Sequence, residues 1–157
     1  MSTTNDRIVI AYDGSENARH AIAVAARELG PRHADVVHAW EPLASATSRL
    51  AIYAVAFGGT AGDEVELEGE RARATADEGA RIARDAGFDA KAITLRSDGP
   101  VADAIVRYVA EHAPQLVVMG TRGLSGARSV IAGSVSHQVT QHLHTPVLTV
   151  PPNGAGV

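Results

Sequence analysis

The chain has 157 residues, of which 45% are hydrophobic and only 4% aromatic, and carries a formal charge of −4 at pH 7. That length suits one domain, residues 1–157, with a real core, which Ala, Val, Ile and Leu must fill. The acidic balance offers no basic field for nucleic acid, and the lack of cysteine excludes disulfides, thiolate metal sites and thiol catalysis.

In chain order, Met1 to Asp6 is polar and does not open a signal peptide. No later apolar run is long enough to span a bilayer, so a cytoplasmic protein without membrane partners is expected. Arg7 to Ala11 reads as a short buried strand ending at Asp13-Gly14. Ser15 to Leu29 reads as a helix with Ala18, Ala21, Ile22, Ala25 and Leu29 on one face, stopped by Gly30-Pro31. Asp35 to Trp40 is a second strand. Leu43 to Gly62 has no clear period and reads as a long flap, with a short helical turn expected near Arg49 to Val55. Asp63 to Ala86 is a long charged helix whose Ala72, Ala76, Ala80 and Ala83 form a stripe suited to close packing on a sheet.

Ala90 to Leu95 is a third strand. Pro100 opens the next helix, where its missing N–H costs nothing, and Val101, Ile105 and Val109 line its inner face. Leu116 to Met119, Ser134 to Leu143 and Val147 to Val150 complete the alternation as strand, helix and strand. The ordered core is expected over about 6–151, with the tail beyond it frayed. Strands that are nearly all apolar and alternate with helices argue for an α/β fold with a parallel sheet covered on both faces.

The most specific chemistry lies after the fourth strand. Gly120-Thr121-Arg122-Gly123 is followed, after Leu124 to Ala132, by Gly133-Ser134-Val135-Ser136. Glycines let the backbone come close to a ligand, and the N–H groups at a following helix start attract an anion. Read alone, the segment is equally a plain strand–loop–helix connection.

Gly-x-x-Gly, nine residues and Gly-Ser resembles the nucleotide loop of the universal stress protein family. Three further segments resemble that family in the right order: Ile8 to Ser15, Asp98-Gly99-Pro100 and Thr145 to Val150. The resemblance implies a three-layer, adenine nucleotide alpha hydrolase-like sandwich with strand order 3-2-1-4-5. It also implies an ATP site at the switch point between the first and fourth strands.

In that site Gly120, Gly123, Gly133, Ser134, Val135 and Ser136 would hold phosphates, with Arg122 adding charge or forming an exposed salt bridge. Asp13 would accept from ribose hydroxyls, or serve as a turn or cap. Ala11, Tyr12, Ala39 and Met119 would flank the base, although Tyr12 also reads as a core aromatic. Mg²⁺ could accompany a triphosphate, held mainly by its oxygens and water. A homodimer through Val147–Val150 and an unknown protein partner are also implied.

Other designs fit less well. A Walker loop needs Gly-Lys-Ser/Thr, and Lys91, the sole lysine, lies far from a glycine loop. No G-x-S-x-G elbow is present. The family's ATP-cleaving relatives carry a serine–glycine loop after the first strand, where this chain reads Tyr12-Asp13-Gly14-Ser15. His137, His142 and His144 do not converge at helical spacing and read as surface or capping residues. No catalytic residue and no protein-derived metal site are therefore assigned. The expected function is an ATP-dependent sensor or switch in stress response. The alternatives are slow ATP hydrolysis and a dimeric interaction protein that uses no nucleotide.

Overall fold

The computed structural model describes residues 6–42, 61–121 and 134–154. Its elements are β1 (Ile8–Ala11), α1 (Glu16–Leu29), β2 (His33–Trp40), α2 (Ala61–Asp85), β3 (Asp89–Arg96), α3 (Val101–His112), β4 (Leu116–Gly120), α4 (Ser134–His142) and β5 (Val147–Val150). The five strands form one parallel sheet in the order β3-β2-β1-β4-β5, as expected.

The alternation of side chains along each strand divides the core in two. Ile8, Ile10, Ala34 and Val36 meet Ala18, Ala21 and Ile22 of α1 and Ala80 and Ala83 of α2. Val9, Val37 and Val117 meet Ile105 and Val109 of α3 and Val139 of α4. The alanine stripe expected on the long helix is buried throughout. It brings α2 so near the sheet that a methyl on Gly79 would lie 2.6 Å from the Tyr12 ring and 2.9 Å from Val36.

Boundaries differ from the sequence reading where pairing or capping overrides apolar pattern. β2 starts at His33 and β3 at Asp89, because the ladder carries both strands to that pair and His33 meets Asp89 across it at 2.7 Å. Ser15 caps α1 instead of opening it, its Oγ accepting from the Ala18 N–H at 3.1 Å. Gly30, at φ 69°, closes that helix by donating to the Ala26 carbonyl. α2 begins at Ala61, so the last two residues of the expected flap are helical. The rest of that flap, with its expected helical turn, lies outside the described residues. Among the described residues no helix is long and apolar enough to cross a membrane.

Candidate nucleotide site

β1 and β4 lie side by side at the centre of the sheet. From there the chain proceeds outward through β2 and β3 on one side and through β5 on the other. This is the switch point at which open α/β sheets bind ligands, beyond the carboxyl ends of the strands. Asp13 follows β1 there, and Gly120 ends β4.

Asp13-Gly14-Ser15 folds as a tight turn. The Ser15 N–H donates to Asp13 Oδ1 at 3.0 Å, and Gly14 takes φ 84°, a conformation glycine adopts without strain. The turn role and the ribose role are compatible, because a carboxylate has two oxygens and about four acceptor positions.

Three of the four residues expected around the base share one face. Ala11, Ala39 and Met119 all belong to the cluster beneath α3 and α4, and the first two are only half-buried. Tyr12 belongs to the opposite cluster beneath α1 and α2. Its side chain is 2% exposed, and its hydroxyl accepts from Arg19 Nε at 3.2 Å. Its N–H donates to the Val37 carbonyl at 2.9 Å, and its own carbonyl accepts from His38 Nδ1 at 2.9 Å. The Tyr12 ring is thus a core aromatic, and the alternation of the strand is what turns it away from Ala11 and Met119. Burial pushes its phenol up, partly offset by the hydrogen bond from Arg19.

Gly120 is tightly enclosed from behind. A methyl there would meet Oδ1 of Asn17 at 2.6 Å and its Cγ at 2.8 Å. Thr121 leaves the strand with its N–H donated to the Val150 carbonyl at 3.0 Å. Arg122, Gly123 and Gly133 lie outside the described residues, and of Ser134 only its place as the first residue of α4 is described. Val135 packs against the α3–α4 cluster, and Ser136 is buried. His137 and His142 of this helix and His144 just beyond it do not form a metal-binding group among the described residues. His142 Nδ1 faces the Gln138 carbonyl at 2.7 Å, which satisfies the helix end.

Asn17 escaped the sequence reading because an asparagine in an amphipathic helix reads as surface. The available signal was its position four residues before Ala21, on the apolar stripe.

The universal stress protein family model matches residues 4–151. Universal stress protein YxiE of Bacillus subtilis is 30% identical over 150 residues, covering 92% of this chain and 98% of that protein. A universal stress protein of Thermus aquaticus is 34% identical over 145 residues, covering 91% and 96%. Among solved structures, hypothetical protein MJ0577 superposes with a TM-score of 0.72 at 21% identity, covering 98% of this chain and 100% of that one. The Archaeoglobus fulgidus universal stress protein in complex with dAMP superposes at 0.59 with 23% identity, covering 92% and 96%.

Proposed function

The chain belongs to the universal stress protein family, and we propose that it binds an adenine nucleotide, ATP foremost, as a sensor or switch in stress response. The observation that carries this reading is the convergence of Asp13 and Gly120 on the switch point of a parallel sheet. The dAMP complex of a relative with the same fold supports the ligand class, as do family complexes with cAMP and AMP.

The chemistry of the residues fits the ligand. Asp13 supplies a ribose acceptor at the end of β1. Ala11 and Ala39 are small, which leaves room for a flat base between strand ends, and Met119 supplies apolar floor. The glycine-bearing segment from Gly120 to Ser136 would hold phosphates through backbone N–H groups and hydroxyls. Tyr12 contributes to the strand end that carries Asp13, with its ring left in the core. Bound nucleotide would order a surface that a protein partner reads, and the edge strand β5 is the surface we assign to a second copy of the chain.

The test is the nucleotide content of the purified protein, measured by chromatography after heat release, with titration of ATP and Mg²⁺ into nucleotide-free protein. Adenine nucleotide near one per chain, and much weaker binding by Gly133→Asp, are expected. Recovered ADP, with turnover that scales with the protein through purification, would shift the reading to slow hydrolysis. Absence of nucleotide, with no thermal shift on adding ATP and Mg²⁺, would replace it with a nucleotide-free interaction protein.

A further inference from the structure

Five residues of α1 are buried, and Asn17 is the only polar one among them. Its side chain is 7% exposed and lies at the meeting point of three elements. Nδ2 donates to the carbonyl of Val150, the last residue of β5, at 3.1 Å. The same carbonyl accepts the Thr121 N–H at 3.0 Å, so both of its lone pairs are in use. The Oδ1 and Cγ of the same amide form the wall directly behind Gly120.

One neutral amide therefore governs Gly120 and Thr121, the two residues at which β4 ends. It blocks retreat of Gly120 toward α1, and it shares the acceptor that fixes the direction of Thr121. A buried amide needs a partner for its N–H, which fixes the orientation of the Asn17 group and hence its contact with Gly120.

We propose that Asn17 is a positioning residue for the nucleotide site, setting the take-off of the glycine loop through Gly120 and the Val150 carbonyl. This inference rests on the reading that the loop binds an adenine nucleotide. Asn17→Asp keeps the shape of the side chain but sets an acceptor against a carbonyl. Asn17→Ala removes both the donor and the wall.

ATP affinity is to be measured by calorimetry for the parent, both Asn17 variants and Tyr108→Phe, a destabilised control at the opposite end of the sheet. The Asn17 variants are expected to bind about tenfold more weakly, a size typical of residues that act on a site without contact. Tyr108→Phe should bind as the parent does, which separates positioning from general loss of stability. In ¹⁵N spectra of the parent, ATP should move both the Thr121 amide and the Asn17 side-chain amide signals.

Parent-like affinity in the Asn17 variants would overturn the inference while leaving the nucleotide reading intact. Failure of the parent itself to bind would overturn the nucleotide reading and the inference with it. Should neither Asn17 variant fold, the parent spectra decide: Asn17 signals that stay still while ATP binds would overturn the positioning role.

Discussion

At the amino ends of the strands the chain buries a full charge, whereas at the carboxyl ends the buried polar side chains among the described residues are neutral: the amide of Asn17 and the hydroxyls of Ser15, Ser97 and Ser136. Asp35, in β2, is 2% exposed. Its carboxylate accepts from the Tyr108 hydroxyl at 3.0 Å and lies 3.5 Å from both Arg7 and Lys91. The two cations reach solvent, so the carboxylate is compensated without either of them being fully desolvated. Tyr108 also stacks on His112 at a centroid distance of 4.0 Å. That end is an electrostatic unit that joins Arg7, just before β1, to β2, β3 and α3. At the other end Asn17 ties α1, β4 and β5 through one carbonyl and adds no net charge beside a segment proposed to hold phosphates. The buried charge at one end serves cohesion, and at the other the buried polar groups are neutral, so that backbone dipoles, with Arg122, are proposed to meet the ligand's phosphates.

The largest effect is expected where packing beside the carboxyl ends is tightest. Gly79→Ala would drive a methyl into the Tyr12 ring, and such overpacking should cost about 3 kcal/mol in urea unfolding. A stability equal to the parent would show that α2 can shift away from β1 and β2.

Asp35→Ala should follow, at about 2 kcal/mol, because it leaves the buried Tyr108 hydroxyl without that partner. It should leave nucleotide affinity unchanged. A clear change in affinity would break the division between the two ends.

Tyr108→Phe is expected to cost about 1.5 kcal/mol, the scale of a hydrogen bond to a charged group. It also carries a pH signature. Burial, followed by the hydrogen bond to Asp35 and then its charge, holds the Tyr108 phenol well above its ordinary value of 10.0, with Arg7 opposing in part. The unfolded chain releases this proton at lower pH than the folded one. The contribution to stability is therefore complete below pH 10.0 and is lost as pH rises through the higher folded value. Tyr108→Phe should flatten that part of the alkaline decline, and urea midpoints between about pH 8 and 11 would show it. An unchanged alkaline decline would assign it to other groups.

The smallest effect is expected at the turn. Ser15→Ala removes the cap of α1 and should cost about 1 kcal/mol by thermal unfolding. A larger loss would mean that the cap also supports the turn formed by Asp13.

Much of the fold could be read from the chain because local patterns agreed with the final packing. The Ala72, Ala76, Ala80 and Ala83 stripe marked the inner face of α2, and Val147 to Val150 matched β5 to the residue. The set proposed to flank a base was less legible. Periodicity placed Ala11, Tyr12, Ala39 and Met119 at strand ends, but the face each takes depends on the register of the whole sheet. Alternation turned Tyr12 toward Gly79 and away from Ala11, Ala39 and Met119. Asp35 illustrates the same limit. It read only as the start of an apolar strand, since its partners lie at positions 7, 91 and 108 and come together only when four elements pack.

The sequence by itself determined the alternation of strands and helices, the absence of thiol chemistry, and, through its resemblance to a family, the strand order and the place at which a site is proposed. Hydrophobic period, turn residues and caps act within a few residues of one another, so they can be read along the chain. Only the tertiary structure decided that Asp35 is a buried charge with three partners and that Asn17 backs Gly120 while sharing the Val150 carbonyl with Thr121. Those contacts join residues as far apart as 133 positions. Their chemistry is set by which atoms the packed sheet leaves facing one another, and no local pattern encodes that.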